Sequence, residues 1–141
     1  MTIPHFADAP PLRTDSDKLD RVRALVGQAC ATRQVWIMLV DGEGRQLPTV
    51  LPLSGLPDRP DLSFLQGLER LLGGMRSELA TSSGPGCVIL TLERAGSEEA
   101  TSLDREWRNA LRVACSHARI ALGGVFLSSD SGVHPLEGRG S

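Results

Sequence analysis

Two kinds of apolar pattern alternate along this chain. Apolar residues recur at three-four spacing, as in an amphipathic helix, over 16–33, 61–80 and 102–122. Short, nearly continuous apolar runs, typical of buried strands, cover 35–40, 46–53, 87–92, 123–129 and 133–136. The predicted order is α-β-β-α-β-α-β-β. It indicates an α/β domain, in the α+β sense, with a mixed sheet of about four to five strands flanked by three helices.

The first two predicted strands are expected to lie at different positions in the sheet. The run 35–40 is apolar throughout, which favours a strand covered on both faces. The sequence DGEG at 41–44 predicts a turn, because glycine supplies the positive φ that hairpin turns need. Pro48 and Pro52 interrupt the returning strand. Since proline cannot donate to a ladder, we expect that strand at an edge of the sheet.

Short polar residues and glycines define the predicted helix ends and one irregularity. Asp15 or Ser16 is expected to cap the first helix, and Thr101 or Ser102 the third. Asp104 and Glu106 then suit the positive end of the third helix dipole. The second helix contains Gly73-Gly74, which predicts a kink or a close contact between helix and strand.

The ends of the chain differ from its middle. Residues 1–14 hold three prolines without periodicity and are expected to form a mobile arm, with residues 137–141 as a disordered tail. The segment 15–136 is then a single globular domain. The first fifteen residues lack a basic start followed by an apolar core, and no apolar run approaches the ~20 residues of a membrane span. We therefore expect a cytoplasmic protein that does not bind a membrane.

Composition narrows the function classes. The formal charge of −2 gives no overall basic excess, which disfavours a dedicated nucleic-acid binder. Lys18 is the only lysine beside 14 arginines, and Ala, Gly and Pro are abundant, as in proteins from GC-rich genomes such as those of actinobacteria.

Residues that commonly carry chemistry are scattered. Cys30, Cys87 and Cys115 form no CxxC, and we expect reduced structural thiols. The three histidines, His5, His117 and His134, have no metal-ligand spacing. No phosphate-binding glycine loop and no G-x-S-x-G elbow is present. The sequence therefore predicts no catalytic residue, no metal ligand and no cofactor.

One stretch, TLERAGSEEATSLDREW at 91–107, leaves a predicted strand and enters a predicted helix. It carries an acidic cluster interleaved with arginines, which is a solvated loop, the rim of a binding surface or a weak site for Mg²⁺ or Ca²⁺, since these ions prefer oxygen ligands. Trp107 is either a core anchor or part of an interface. Arg105, Arg108 and Arg112 share one face of the third helix and are either solvated or a phosphate-binding stripe. The candidate binding surface consists of Glu93, Arg94, Asp104, Arg105, Trp107 and Arg108.

The order of these pieces over 35–136 resembles the JAB/MPN fold in its bacterial RadC-like branch. The similar pieces are VWIMLVDGEGR, the proline-bearing strand, the helix from 61, CVILTLERAGSEEATSLDREW and LGGVFLSSDSGVHPL. In that family the third strand leads into a His-x-His-Pro loop, and an aspartate of the next helix completes a zinc site. Here those histidine positions fall on Thr91 and Glu93, or on Leu92 and Arg94. In the first of these two registers, Asp104 stands at the position of the family's metal-binding aspartate. One carboxylate does not hold a zinc ion, so the resemblance implies a relative without the metal centre.

Three functional hypotheses follow. The leading one is a non-catalytic, metal-free, JAB/RadC-like interaction module that binds a protein partner or a second copy of itself. The second is a hydrolase or nucleic-acid-processing enzyme with a site assembled from Glu93, Asp104 and a histidine. The third, a nucleic-acid-binding accessory protein, uses the arginines of the third helix and is less favoured.

Overall fold

A computed structural model describes residues 12, 14–25 and 33–136 of the chain. Within these residues, three helices and five strands follow one another in the predicted order. They are α1 (Asp15–Leu25), β1 (Gln34–Val40), β2 (Gln46–Leu53), α2 (Leu62–Leu79), β3 (Cys87–Glu93), α3 (Ser102–Ala118), β4 (Ala121–Ser129) and β5 (Gly132–Pro135). The sheet order is β2-β1-β3-β4-β5. Only β3 and β4 run parallel, joined through α3, so the predicted α+β domain with a mixed sheet is confirmed.

The sheet separates two apolar clusters, because successive side chains of a strand point to opposite faces. On β1, Val35, Ile37 and Leu39 enter the larger cluster, which also contains buried residues of α2 and α3. Met38 and Val40 enter the smaller cluster, together with Val22 of α1. Helices thus cover both faces of the sheet, and the prediction that β1 is covered on both sides is confirmed.

Strand β2 lies at one edge of the sheet, as its prolines predict. Met38 of β1 stands opposite Val50, but Val40 stands opposite Gln46. Three residues of β2, including Pro48, therefore oppose a single residue of β1. This irregularity is a β-bulge, one of the few places in a sheet that accept a proline. The predicted turn before it is also present, with Gly44 at φ 82°.

Three predicted helix boundaries are wrong. Thr14, not Asp15 or Ser16, caps α1, because its hydroxyl accepts from the Asp17 amide while Asp17 accepts from the Thr14 amide. Arg33, the predicted last residue of that helix, lies outside it. Helix α3 ends at Ala118 rather than at 122, because Arg119 adopts a left-handed conformation (φ 58°) and Ala121 already pairs with β3. Of the predicted mobile arm over 1–14, residues 1–11 and 13 lie outside the described residues, as do Cys30 and the tail over 137–141. The two described residues of that segment are held in the fold, since Leu12 is buried in the smaller cluster and Thr14 caps α1.

The expected close contact at Gly73-Gly74 is wrong. Helix α2 runs unbroken through both glycines, and an added Cβ at either would meet no neighbouring heavy atom within 4 Å. Gly74→Ala is therefore expected to raise the free energy of unfolding by about 0.5–1 kcal/mol, because alanine favours the helix and restricts the unfolded chain. Urea denaturation measures this change.

Gly42→Ala is the matched control for that substitution. A Cβ on Gly42 would stand 2.0 Å from the Gly84 carbonyl oxygen, so this change is expected to destabilise the fold. A loss of stability in Gly74→Ala as well would show that α2 makes contacts at Gly74 that the fold described here does not contain.

Candidate functional site

The connection from β3 to α3 is built around the Arg94 side chain, which is only 8% exposed. Its guanidinium donates to the carbonyl oxygens of Ala95 (3.1 Å), Ser97 (2.8 Å) and Glu99 (3.1 Å). It also donates through Nε and Nη2 to both carboxylate oxygens of Asp104, at 2.7–3.1 Å. A single cation therefore binds the inner side of the loop and joins it to the first turn of α3.

Asp104, fully buried at the start of α3, completes this arrangement. Its carboxylate accepts from the Thr101 amide at 2.9 Å, while the Thr101 hydroxyl accepts from the Asp104 amide at 3.1 Å. This reciprocal pair is a capping box. Burial alone would raise the pKa of Asp104, but the hydrogen bonds from Arg94 and Thr101 outweigh it and lower that pKa. Asp104 is thus an ionised partner in a structural ion pair.

The outer side of the loop is held by the end of β4. The Gly96 amide donates to the Asp130 carboxylate at 3.0 Å, and the Asp130 amide donates to the Gly96 carbonyl at 3.1 Å. Gly96 has φ 113°, a conformation that other residues rarely adopt. Residues 95–99 are exposed. The loop is therefore exposed on its surface and hydrogen-bonded on both flanks.

Glu93 lies on the other face of the sheet from Asp104. Leu92, its neighbour on β3, belongs to the larger cluster beneath α3, so the Glu93 side chain points toward the α1 side. Glu93 is 1% exposed and accepts hydrogen bonds from the side-chain Nε2 of Gln34 and from the Trp36 indole Nε1. The two carboxylates that a shared enzymatic site would need are therefore on opposite faces of the sheet.

Each of the two described histidines lies beside a different glutamate, and neither of these is Glu93. His117 Nδ1 lies 3.0 Å from Glu69 Oε2, in a groove between α2 and α3. His134 Nε2 lies 3.2 Å from Glu98 Oε2 of the loop. His5 is outside the described residues. Within 12, 14–25 and 33–136 no three His, Cys, Asp or Glu side chains are grouped so that they could hold a metal ion.

The remaining predicted site residues divide between core and surface. Trp107 is fully buried and packs edge-on against Phe64, with ring centroids 5.3 Å apart, so the core-anchor alternative is the right one. Arg108 is 3% exposed, whereas Arg105 is exposed. Of the six residues proposed as a binding surface, only Arg105 has an exposed side chain, and ligand binding by the set stays a prediction.

The two described cysteines occupy apolar surroundings. Burial raises the pKa of the Cys115 thiol to about 11. Burial also raises the pKa of Cys87, although the nearby charge of Lys18 opposes that change. Neither thiol is activated as a thiolate nucleophile, in agreement with the structural role predicted for them.

The sequence reasoning missed the central role of Arg94. One signal was present, since Thr101 and Asp104 have the spacing of a capping box, here with aspartate in place of the usual glutamate. Nothing local linked that box to an arginine ten residues earlier.

Every helix in the described part of the chain falls short of the length or the apolar character that crossing a bilayer requires. Comparison of the chain with protein-family models, with curated proteins and with solved structures finds no significant match.

Proposed function

We propose that this chain is a non-catalytic interaction domain without a metal centre, and that the exposed loop 95–99 is the part that binds a partner protein. The observation that supports this most directly is the set of three loop carbonyls bound by the Arg94 guanidinium. A loop fixed in one conformation loses little conformational entropy when a partner binds, so preorganisation favours recognition.

The charge of the loop indicates the kind of partner. Glu98 and Glu99 are exposed, and the exposed Asp130 adjoins them through Gly96. Complementary charge speeds encounter and excludes partners of the same sign. We therefore infer a partner that presents lysine or arginine side chains to this loop.

The hydrolase hypothesis is less favoured because its residues are engaged separately. Asp104 binds Arg94 and Thr101, while Glu93 binds Gln34 and Trp36 on the opposite face. A general base must lie within hydrogen-bond distance of the reacting group.

The relationship to the JAB/MPN family also remains a proposal. If it holds, Asp104 has exchanged the role of a metal ligand for that of an ion-pair partner.

Affinity capture with loop variants tests the proposed surface. The immobilised wild-type chain is expected to retain a basic protein from lysate that the double variant Glu98→Gln, Glu99→Gln does not retain. The matched control, Glu43→Gln with Glu78→Gln, removes two exposed acids elsewhere and is expected to behave as the wild type. Identical retention by all three proteins would refute binding through the loop. Stoichiometric zinc in protein purified without chelator would refute the absence of a metal centre.

A further inference from the structure

Arg108 on α3 is a buried cation without an anionic partner. Its side chain is 3% exposed, and no described carboxylate lies within ion-pair distance of it. Nε and Nη2 both donate to the Asn109 side-chain oxygen, at 3.2 and 2.7 Å, while the buried Nη1 has no hydrogen-bond partner. A buried charge normally requires a counter-charge and full hydrogen bonding.

Arg94, the other buried arginine near α3, has the contacts that Arg108 lacks. Arg94 is similarly buried but contacts both oxygens of Asp104 and three carbonyls. Arg108 has instead only a neutral amide. A guanidinium that is buried and unpaired is unfavourable, so an anion that completed the contacts of Arg108 would stabilise the protein.

Two exposed arginines flank Arg108 on the same side of the helix. Arg105 precedes it by three residues and Arg112 follows it by four, so all three project from one side of α3. Neither Arg105 nor Arg112 has an ion-pair partner among the described residues. Asn109, which holds the Arg108 guanidinium, is exposed, so that guanidinium lies one hydrogen bond from the surface.

We propose that Arg105, Arg108 and Arg112 form a binding site for a phosphate group. In the phosphate-bound state the Arg108 guanidinium, buried here, reaches the surface beside Arg105 and Arg112. Its Nη1 and the remaining Nη2 hydrogen form the planar fork that binds two phosphate oxygens at once. Arg105 and Arg112 then neutralise the charge that remains. The site is separate from the loop 95–99, so it does not depend on the proposed partner protein. The negative net charge of the chain favours a small phosphate-bearing ligand over a long polyanion.

Calorimetric titration with inorganic phosphate tests the site. The wild-type chain is expected to bind phosphate, and Arg108→Met is expected to weaken that binding at least about tenfold, because it removes charged hydrogen bonds. Phosphate is expected to raise the Tm of the wild type and not that of Arg108→Met. Without phosphate, Arg108→Met should melt at the same or a higher temperature, since an unpaired buried charge has been replaced by an apolar side chain.

Three further variants separate this site from nonspecific attraction. Arg105→Gln with Arg112→Gln, at two exposed positions, is expected to weaken phosphate binding, while Arg76→Gln at an exposed position of α2 is not. Arg108→Lys retains charge without the fork and is expected to bind with intermediate strength. A parallel titration with a short single-stranded oligonucleotide distinguishes a nucleic-acid backbone from a free phosphate as the source of the group. Absence of binding in both titrations, or equal binding by the wild type and Arg108→Met, would overturn the proposal.

Discussion

Replacing Asp104 by alanine is expected to lower the free energy of unfolding by about 3–5 kcal/mol. The change leaves the Arg94 guanidinium buried without its counter-charge and removes the carboxylate that accepts from the Thr101 amide. Both effects act at Asp104, which is fully buried in the first turn of α3. Urea denaturation followed by circular dichroism measures the loss, which is a large fraction of the stability of an ordinary domain.

The exposed ion pair between Arg59 and Glu106 provides the control for this substitution. Its atoms are 2.8 Å apart, close to the 2.7 Å between Arg94 and Asp104, but its side chains are 73% and 42% exposed. Arg59→Ala is therefore expected to change stability by less than about 1 kcal/mol, because solvent screens such pairs. Equal effects of the two substitutions would mean that the Arg94–Asp104 pair does not hold the loop.

The same pair gives the fold a dependence on acid. Because Asp104 has a lowered pKa in the folded chain, it contributes stability that is fully present above its ordinary pKa of 3.8. That contribution is lost as the pH falls through the lower pKa of the folded state. Below pH 4, the free energy of unfolding is therefore expected to fall more steeply with decreasing pH for the wild type than for Asp104→Ala. Urea denaturation at a series of pH values measures this difference.

Trp107→Ala is the second substitution with a large expected effect, about 3–5 kcal/mol of lost stability. Trp107 is fully buried in the larger cluster, and truncation leaves a cavity beside Phe64. Trp107→Phe should destabilise less, because the indole Nε1 has no hydrogen-bond partner to lose. Thermal denaturation ranks the variants. Val113→Ala, at a position 48% exposed on the outer side of α3, is expected to stay within about 0.5 kcal/mol of the wild type.

The element order and edge strand were predictable because they depend on local patterns. The continuous apolar run of β1 indicated a strand covered on both faces, and the prolines of β2 indicated an edge. The end of α3 was not predictable in this way. Residues 120–122 are apolar and fit either a helix or a strand, and pairing with β3 decides between them.

The arrangement of the charged residues depends on tertiary contacts that spacing does not encode. Arg94 and Asp104 are ten residues apart and meet only because the loop folds back over the guanidinium. Arg105 and Arg108 share one helix face, yet one is exposed and the other buried. Periodicity identifies the side of a helix on which a residue lies, but not how far the neighbouring elements extend over it.

The bulged, proline-bearing course of β2 also restricts how copies of this protein can associate. An exposed strand edge is a template on which another chain can add a strand, and repeated addition produces fibrils. Pro48 and Pro52 offer no N–H to such an added strand, and the bulge breaks its regular spacing. The opposite edge, β5, has four residues, the last of which is Pro135. Fibril growth by edge-to-edge stacking is thus obstructed at both ends of the sheet, and concentrated solutions of the folded chain should resist this route to aggregation.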